Sequence, residues 1–241
     1  MVLIKKVVKL GTFTAIVAAG TLRSQDKAGA AKQALQQRIA ELKESIAANQ
    51  AKLRTYQWVE TTEINLKGEM KKREQKECLY GPDGQVQKTP IGDAEGRGKK
   101  PQRGLKGKIV EKKVDELKDY MERVGSLVKR YVPPDPQKIQ ASFQAGKASP
   151  DRSRDGIASL IFQDYAKPGD KVSLAFNTAA KKLQNYTVNT YLDSPQDIVT
   201  LKAEFSSLPD GTNHVAHTLL NATGKQITVN ATNSNYRPVS Q

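Results

Sequence analysis

The stretch Lys171–Tyr191, KVSLAFNTAAKKLQNYTVNTY, decides the fold class of this chain. Val172, Leu174 and Phe176 alternate with polar residues, which is the period of a strand with one covered face and one face in water. The segment between the two apolar runs is short, so the strands at 171–177 and 183–191 are expected to pair antiparallel.

The same pattern recurs along the whole C-terminal part of the chain. Strands are predicted at 157–165, 171–177, 183–191, 198–208, 214–222 and 226–233. Short turns rich in Gly, Pro, Asp and Asn separate them, so neighbours in sequence should form an antiparallel meander.

A second β region precedes this meander. Residues 55–66, 69–80 and 85–91 are predicted as three antiparallel strands, with Lys67-Gly68 as a two-residue hairpin turn and residues 81–84 as a second turn. Trp58, Ile64 and Leu66 share one side of the first strand. The middle strand is heavily charged, so at least one of its faces lies in water.

Three helices are predicted, two of them amphipathic. Residues 31–53 carry a narrow apolar stripe at helical spacing, which suits packing across a sheet or a short coiled-coil seam. Residues 109–131 carry a longer stripe that ends before Pro133. A short helix at 136–145 has Asp135 as its N-cap and Gly146 as its C-cap.

These elements predict an α+β fold: a curved antiparallel β half-barrel of about nine strands with helices packed on one side. A single domain would span residues 31–236. Within it, residues 92–108 are expected to form a basic flexible loop and residues 147–155 a linker.

The N-terminus has the pattern of an export signal. Lys5, Lys6 and Lys9 precede an uncharged run that ends in small residues, so residues 1–20 are predicted to be a signal peptide and residues 21–30 a linker. The alternatives are a buried N-terminal helix or an uncleaved anchor. A signal peptide places the protein in the periplasm or outside the cell.

The charge of the chain is large and uneven. It has 39 Lys+Arg against 25 Asp+Glu, a formal net charge of +14, and residues 1–156 hold 32 of the basic and 19 of the acidic residues. The glycine-rich loop contributes a basic group of residues. These are Arg97, Lys99, Lys100, Arg103, Lys106 and Lys108. They suit an anionic membrane or glycan surface, or they are simply solvated; nucleic acid is the weaker expectation in an exported protein.

Few residues are available for redox, metal or catalytic chemistry. The chain has one cysteine and two histidines, so neither an intrachain disulfide nor a Cys-rich metal site can form. Cys78 is either buried in its strand or open to an intermolecular bond. His214 and His217 would point to opposite faces of a strand, and His217 is expected inside. We therefore predict no cofactor, no metal and no catalytic constellation, and hence a non-enzymatic protein.

The order of elements and one short motif resemble a known family. The segment Leu53-Arg54-Thr55-Tyr56-Gln57-Trp58, and more loosely residues 177–186, are similar to the helix-to-strand and strand–turn–strand segments of the periplasmic lipoprotein-carrier superfamily (LolA/LolB-like). The resemblance implies an open barrel with a helical lid over an acyl-binding cavity.

If so, the covered face of the first strands would form a wall of the ligand site. Its residues are Tyr56, Trp58, Ile64, Leu66, Met70 and Tyr80. The same residues would equally well fill a core, and the sequence leaves that choice open. Two functions follow: an exported carrier or sensor for a lipid or lipidated ligand, or an interaction module in which helix 109–131 pairs with a protein partner.

Overall fold

The computed structural model describes residues 18–92, 105–154 and 156–239. It confirms the predicted fold class: an α+β protein with an open antiparallel sheet, curved as a half-barrel, and helices on one side. The three α-helices of the described part are α1 (Ala18–Leu53), α2 (Leu105–Val128) and α3 (Pro136–Gln144).

The described ranges contain ten strands in one sheet. They are β1 (Tyr56–Leu66), β2 (Glu69–Tyr80), β3 (Val86–Pro90), β4 (Ala148–Arg154), β5 (Ile157–Gln163), β6 (Lys171–Asn177), β7 (Lys182–Tyr191), β8 (Ile198–Ser207), β9 (Asn213–Ala222) and β10 (Ile227–Pro238). Their order across the sheet is β3-β2-β1-β10-β9-β8-β7-β6-β5-β4.

Two meanders are joined at one seam. The N-terminal strands β1–β3 and the C-terminal strands β4–β10 each follow chain order, and β1 pairs antiparallel with β10 over most of its length. The seam brings the two ends of the domain together. It also leaves two edge strands, β3 and β4.

The prediction of a linker at 147–155 is wrong for most of its length, because Ala148–Arg154 forms strand β4 and pairs with β5. Its sequence, ASPDRSR, has no alternating apolar residues. Backbone hydrogen bonds to one neighbour suffice for an edge strand, and an edge tolerates a proline such as Pro150. This strand accounts for the tenth strand where about nine were expected.

Two helices begin earlier than expected. The predicted linker 21–30 is helical and continuous with α1, since it is rich in good helix formers such as Ala, Arg, Gln and Lys. Helix α2 begins at Leu105, so Lys106 and Lys108 belong to a helix and not to the basic loop. A single internal glycine, Gly107, costs a helix only about 1 kcal/mol.

The other basic residues of the expected loop, Arg97, Lys99, Lys100 and Arg103, lie outside the described residues, as do residues 1–17 of the predicted signal peptide. Among the described helices, none is long and apolar enough to span a membrane.

Local signals in the turns and caps are confirmed, except that the C-cap of α3 is Ala145 and not Gly146. Lys67 and Gly68 both adopt positive φ, at 54° and 81°, as a two-residue hairpin of this hand requires. The Asp135 side chain accepts hydrogen bonds from the backbone N–H groups of Gln137 and Lys138 at the start of α3. Gly146 follows α3 at a φ of 70°.

The core lies between the helices and the covered face of the C-terminal strands. Ile39 and Leu42 of α1, and Val124 and Leu127 of α2, are buried against it. The sheet side of the core is contributed by alternating residues of β5–β8 and by the start of β10. These strands hold the helices in the positions that define the site described next.

Candidate functional site: an apolar cavity between sheet and helices

A cavity of about 410 Å³ lies between α1, the connection from α2 to α3, and the sheet. Its volume is in the range of small-molecule sites. Most of its lining is apolar. The main apolar residues are Ile46, Leu53, Val128, Val132, Pro133, Pro134, Leu183, Tyr186, Leu201, Ala203, Phe205 and Val215. The sequence leaves open whether the covered residues fill a core or line a ligand site. The structure shows that part of the space between sheet and helices is a cavity.

Helix α1 forms one side of this cavity and is fixed by a reciprocal amide pair. Asn49 donates through Nδ2 to the backbone oxygen of Asn213 at 2.6 Å, and its Oδ1 accepts from the backbone N–H of Asn213 at 2.6 Å. The side chain of Asn213 in turn donates to the backbone oxygen of Leu183 at 2.7 Å. One helical turn is thus tied to the starts of two strands, β9 and β7.

The α2–α3 connection forms another side of the cavity and is held by buried polar contacts. The Tyr186 hydroxyl, on β7, donates to the backbone oxygen of Tyr131 at 2.7 Å. The Tyr131 hydroxyl reaches the Asp170 carboxylate at 2.7 Å and lies 2.9 Å from the Thr190 hydroxyl. Burial is the main reason why the pKa values of Tyr131 and Tyr186 are raised. Residues Val132–Pro134, which follow Tyr131, are therefore anchored over the cavity.

An aromatic cluster closes the end of the cavity nearest β1–β3. The Trp58 ring lies 5.6 Å from the Tyr80 ring and is stacked on the Tyr236 ring at 5.6 Å. The His214 ring lies 4.2 Å from that of Tyr236. Of the four, Tyr80 and His214 line the cavity directly. The cluster is tied to the sheet because Trp58 Nε1 donates to Asn233 Oδ1 at 3.1 Å.

The expectation for the two histidines is wrong. His214 is the buried one, with 7% of its surface exposed, whereas the His217 side chain is 38% exposed beside Glu204. A bulge explains the exposure of His217: Glu204 pairs with His217 while Phe205 pairs with Val215, so Ala216 is skipped and His217 no longer shares the side of Val215. A bulge of this kind leaves no clear mark in the sequence.

The six residues predicted as a ligand wall are not brought together. Tyr80 lines the cavity and Trp58 lies behind it. Ile64 and Leu66 pack against the main core, and the Tyr56 hydroxyl donates to Asp210 at 2.9 Å.

Met70 is the clearest departure from that wall. The sequence predicts that it belongs to the same covered wall as Tyr80, yet it is 57% exposed. It lies beside the β1–β2 turn, and the register between the two strands shifts between Ile64 and Asn65. Cys78, by contrast, is fully buried, which settles the alternatives for the folded monomer in favour of burial.

Most of the true lining was missed by sequence reasoning. Residues of α1, β8 and β9 supply much of it, and they read in the sequence as ordinary core positions. A signal that could have been used is the small residue Ala203, placed among Leu201 and Phe205 on one covered strand face. A small side chain at this position leaves space among the larger side chains on the covered face of the strand.

Several polar groups lie around the cavity. Lys182 and His214 are the ionisable nitrogen-bearing side chains in its lining, and Asn49, Asn213 and Gln50 add amide groups. Within the described ranges no group of three or more His, Cys, Asp or Glu side chains could hold a metal ion. Comparisons with protein-family models, curated proteins and solved structures gave no significant match.

Proposed function

We propose that this protein is an exported, non-enzymatic carrier or sensor that binds an amphiphile between its curved sheet and its helices. The observation that carries the proposal is the apolar cavity of about 410 Å³ beneath α1 and the α2–α3 connection. A well-packed domain has few voids larger than a water molecule. A largely apolar space of this size between sheet and helices, partly open to solvent, supports an apolar ligand that fills it.

The energetics of such a ligand are favourable. Burying a methylene group gains about 0.8 kcal/mol. A chain of ten methylenes would therefore gain about 8 kcal/mol before the cost of immobilisation, which is enough for binding in the micromolar range or weaker. The amide and lysine side chains at the rim of the cavity suit the polar end of the same molecule.

Export and membrane contact belong to the same proposal. The basic run, apolar run and small residues of the first 20 residues support export, and the similarity to the periplasmic lipoprotein carriers supports an acyl ligand. The basic residues at 97–108 would then meet the anionic membrane or glycan surface from which the ligand is collected.

The alternative, an interaction module built on helix 109–131, has less support. Along α2 the stripe residues Val124 and Leu127 are buried in the core, and Leu117 and Met121 pack against it. Val114, near the beginning of the helix, is 45% exposed. Most of the stripe that would pair with a partner helix is therefore already used by this chain.

The test is the binding of an uncharged amphiphile to a variant with a filled cavity. The full chain is titrated with Nile red, a neutral apolar dye, and the dye is displaced with monolaurin. In Ala203→Phe a large ring enters the cavity from β8. Ala175→Phe, on the face of β6 opposite to Leu174 and Phe176, is the matched control. Circular dichroism and thermal melting report whether each variant folds.

We expect displaceable dye binding in the parent chain and in Ala175→Phe, and at least a tenfold loss in Ala203→Phe with its melting temperature retained. Native mass spectrometry should also find an amphiphile bound to the protein as purified. A chain that binds neither dye nor monolaurin would refute the proposal, as would equal binding by the two variants.

A further inference from the structure

A basic depression adjoins the apolar cavity. It has a volume of about 380 Å³ and lies where α1, the end of α2 and the start of α3 meet. It shares four lining residues with the cavity. These are Ile46, Gln50, Pro133 and Pro134. An apolar space and a charged space are thus separated only by the side chains that line both.

Helix α1 connects the two spaces by its periodicity. Lys43, Ile46, Ala47 and Gln50 follow one another at helical spacing and so share one face of α1. Lys43 lines the depression but not the cavity, whereas Ile46 and Gln50 line both spaces. A molecule lying along this face would meet a cation at one end and apolar side chains at the other.

The depression contains four cations and one carboxylate. Lys43, Lys129, Arg130 and Lys138 line it together with Asp135. The Asp135 carboxylate is already engaged, because Oδ1 accepts from the backbone N–H groups of Gln137 and Lys138 at 2.8 and 3.4 Å. No ion pair to any of the four cations occurs among the described residues.

Two of the four cations are held in place by the protein. Lys138 Nζ donates to the backbone oxygen of Arg130 at 2.9 Å and lies 5.7 Å from the centre of the Tyr165 ring. The Arg130 guanidinium donates to the backbone oxygen of Ala166 at 2.5 Å. Backbone oxygens and a ring face orient these side chains without neutralising them. With one carboxylate beside four cations, the depression keeps a net positive charge, so an anion would gain from entering.

We infer that the ligand is a single-chain anionic amphiphile, with its apolar chain in the cavity and its carboxylate or phosphate headgroup among Lys43, Lys129, Arg130 and Lys138. The inference rests on the proposed function and narrows it to one class of ligand. A fatty acid and a lysophospholipid offer the same chemistry, an oxyanion on one chain. Charge complementarity then selects among amphiphiles that would fill the cavity equally well.

The experiment compares ligands of the same chain length on the full chain. Dodecanoate, dodecyl phosphate and neutral monolaurin compete with Nile red at low and high salt. The test variant is Lys43→Gln/Lys129→Gln, because no ion pair of either lysine is seen in the described part of the chain. The matched control, Lys112→Gln/Lys171→Gln, removes the same charge from two exposed lysines that line neither space and that likewise have no ion pair among the described residues.

We expect the two anions to bind the parent chain and the control at least ten times more tightly than monolaurin at low salt. The preference should shrink at high salt, where charges are screened, and should fall to about threefold or less in the test variant while monolaurin binding stays unchanged. The stronger of the two anions identifies the headgroup.

Equal binding of anions and monolaurin would overturn this inference and leave the proposed function standing. The same holds for an anion preference that survives in the test variant or disappears in the control. Absence of binding by all three amphiphiles would instead refute the proposed function itself, so the two failures are distinguishable.

Discussion

The Tyr131 hydroxyl donates a hydrogen bond to the Asp170 carboxylate at 2.7 Å, and both residues are buried, with 1% and 2% of their surface exposed. Asp170 also accepts from the backbone N–H groups of Tyr165 at 2.5 Å and of Ala166 and Lys167 at 2.9 Å each. One carboxylate thus organises the β5–β6 turn and holds the segment after α2 on the sheet.

This contact predicts that substitutions of the two residues have strongly non-additive effects on the free energy of unfolding. Tyr131→Phe should lower the free energy of unfolding by about 2 kcal/mol, because it removes a hydrogen bond to a charged group. Asp170→Asn should cost about 3 kcal/mol or more, since the amide cannot accept from all four donors. The double variant should cost clearly less than the sum, as measured by urea denaturation. Additive effects would show that the two side chains act independently.

Two glycines, one in the β1–β2 hairpin and one inside α2, predict opposite effects of substitution by alanine on stability. A Cβ at Gly68 or at Gly125 would meet nothing within 4 Å, so only the backbone matters at either position. Gly68 has a φ of 81°, and Gly68→Ala should cost about 1 kcal/mol. Gly125 lies inside α2, and Gly125→Ala should gain up to about 1 kcal/mol. Thermal melting of both variants measures the signs, and equal signs would contradict this interpretation.

Buried tyrosines predict a loss of stability at high pH. Burial is the main cause that raises the pKa of Tyr165 to about 12, from an ordinary value of 10.0. Since the folded pKa exceeds the unfolded one, the stabilisation is complete below pH 10 and is lost as the pH rises towards 12. A two-unit shift corresponds to roughly 3 kcal/mol.

Urea denaturation between pH 8 and pH 12 tests this linkage, with tyrosine ionisation followed by ultraviolet absorbance. Tyr165→Phe should be less stable than the parent at pH 8, because it loses the hydrogen bond that Asp135 N donates to the hydroxyl at 2.8 Å. The gap should narrow as the pH rises. Full ionisation of every tyrosine near pH 10 in the folded protein would contradict the prediction.

The burial of Cys78 predicts that its thiol reacts only when the protein unfolds. It is fully buried on β2 opposite Trp58, and burial raises its pKa, so little thiolate is exposed at neutral pH. A thiol reagent should modify the native protein at least a hundred times more slowly than the protein in urea. Rapid native modification, or a disulfide-linked dimer on a non-reducing gel, would contradict this placement.

The sequence by itself determined the elements. The sequence shows which side of each element is covered, because burial repeats with the period of the backbone. Examples are the alternation of Val172, Leu174 and Phe176 in a strand and the apolar stripe of α2. Turn and cap residues, such as Gly68 and Asp135, act through bonds a few residues away. The α+β class with helices on one side of an antiparallel sheet followed from these local rules.

Only the tertiary structure decided which covered residues fill a core and which surround a space. The bulge at Ala216 turned His217 away from the covered face, and backbone pairing made Ala148–Arg154 a strand. Asn49 and Asn213 fix the position of α1 against β9 at the edge of the cavity. The four cations beside it come from α1 and from the segment 129–138, which are far apart in sequence. Such features depend on how elements meet, and periodicity within one element carries no information about that.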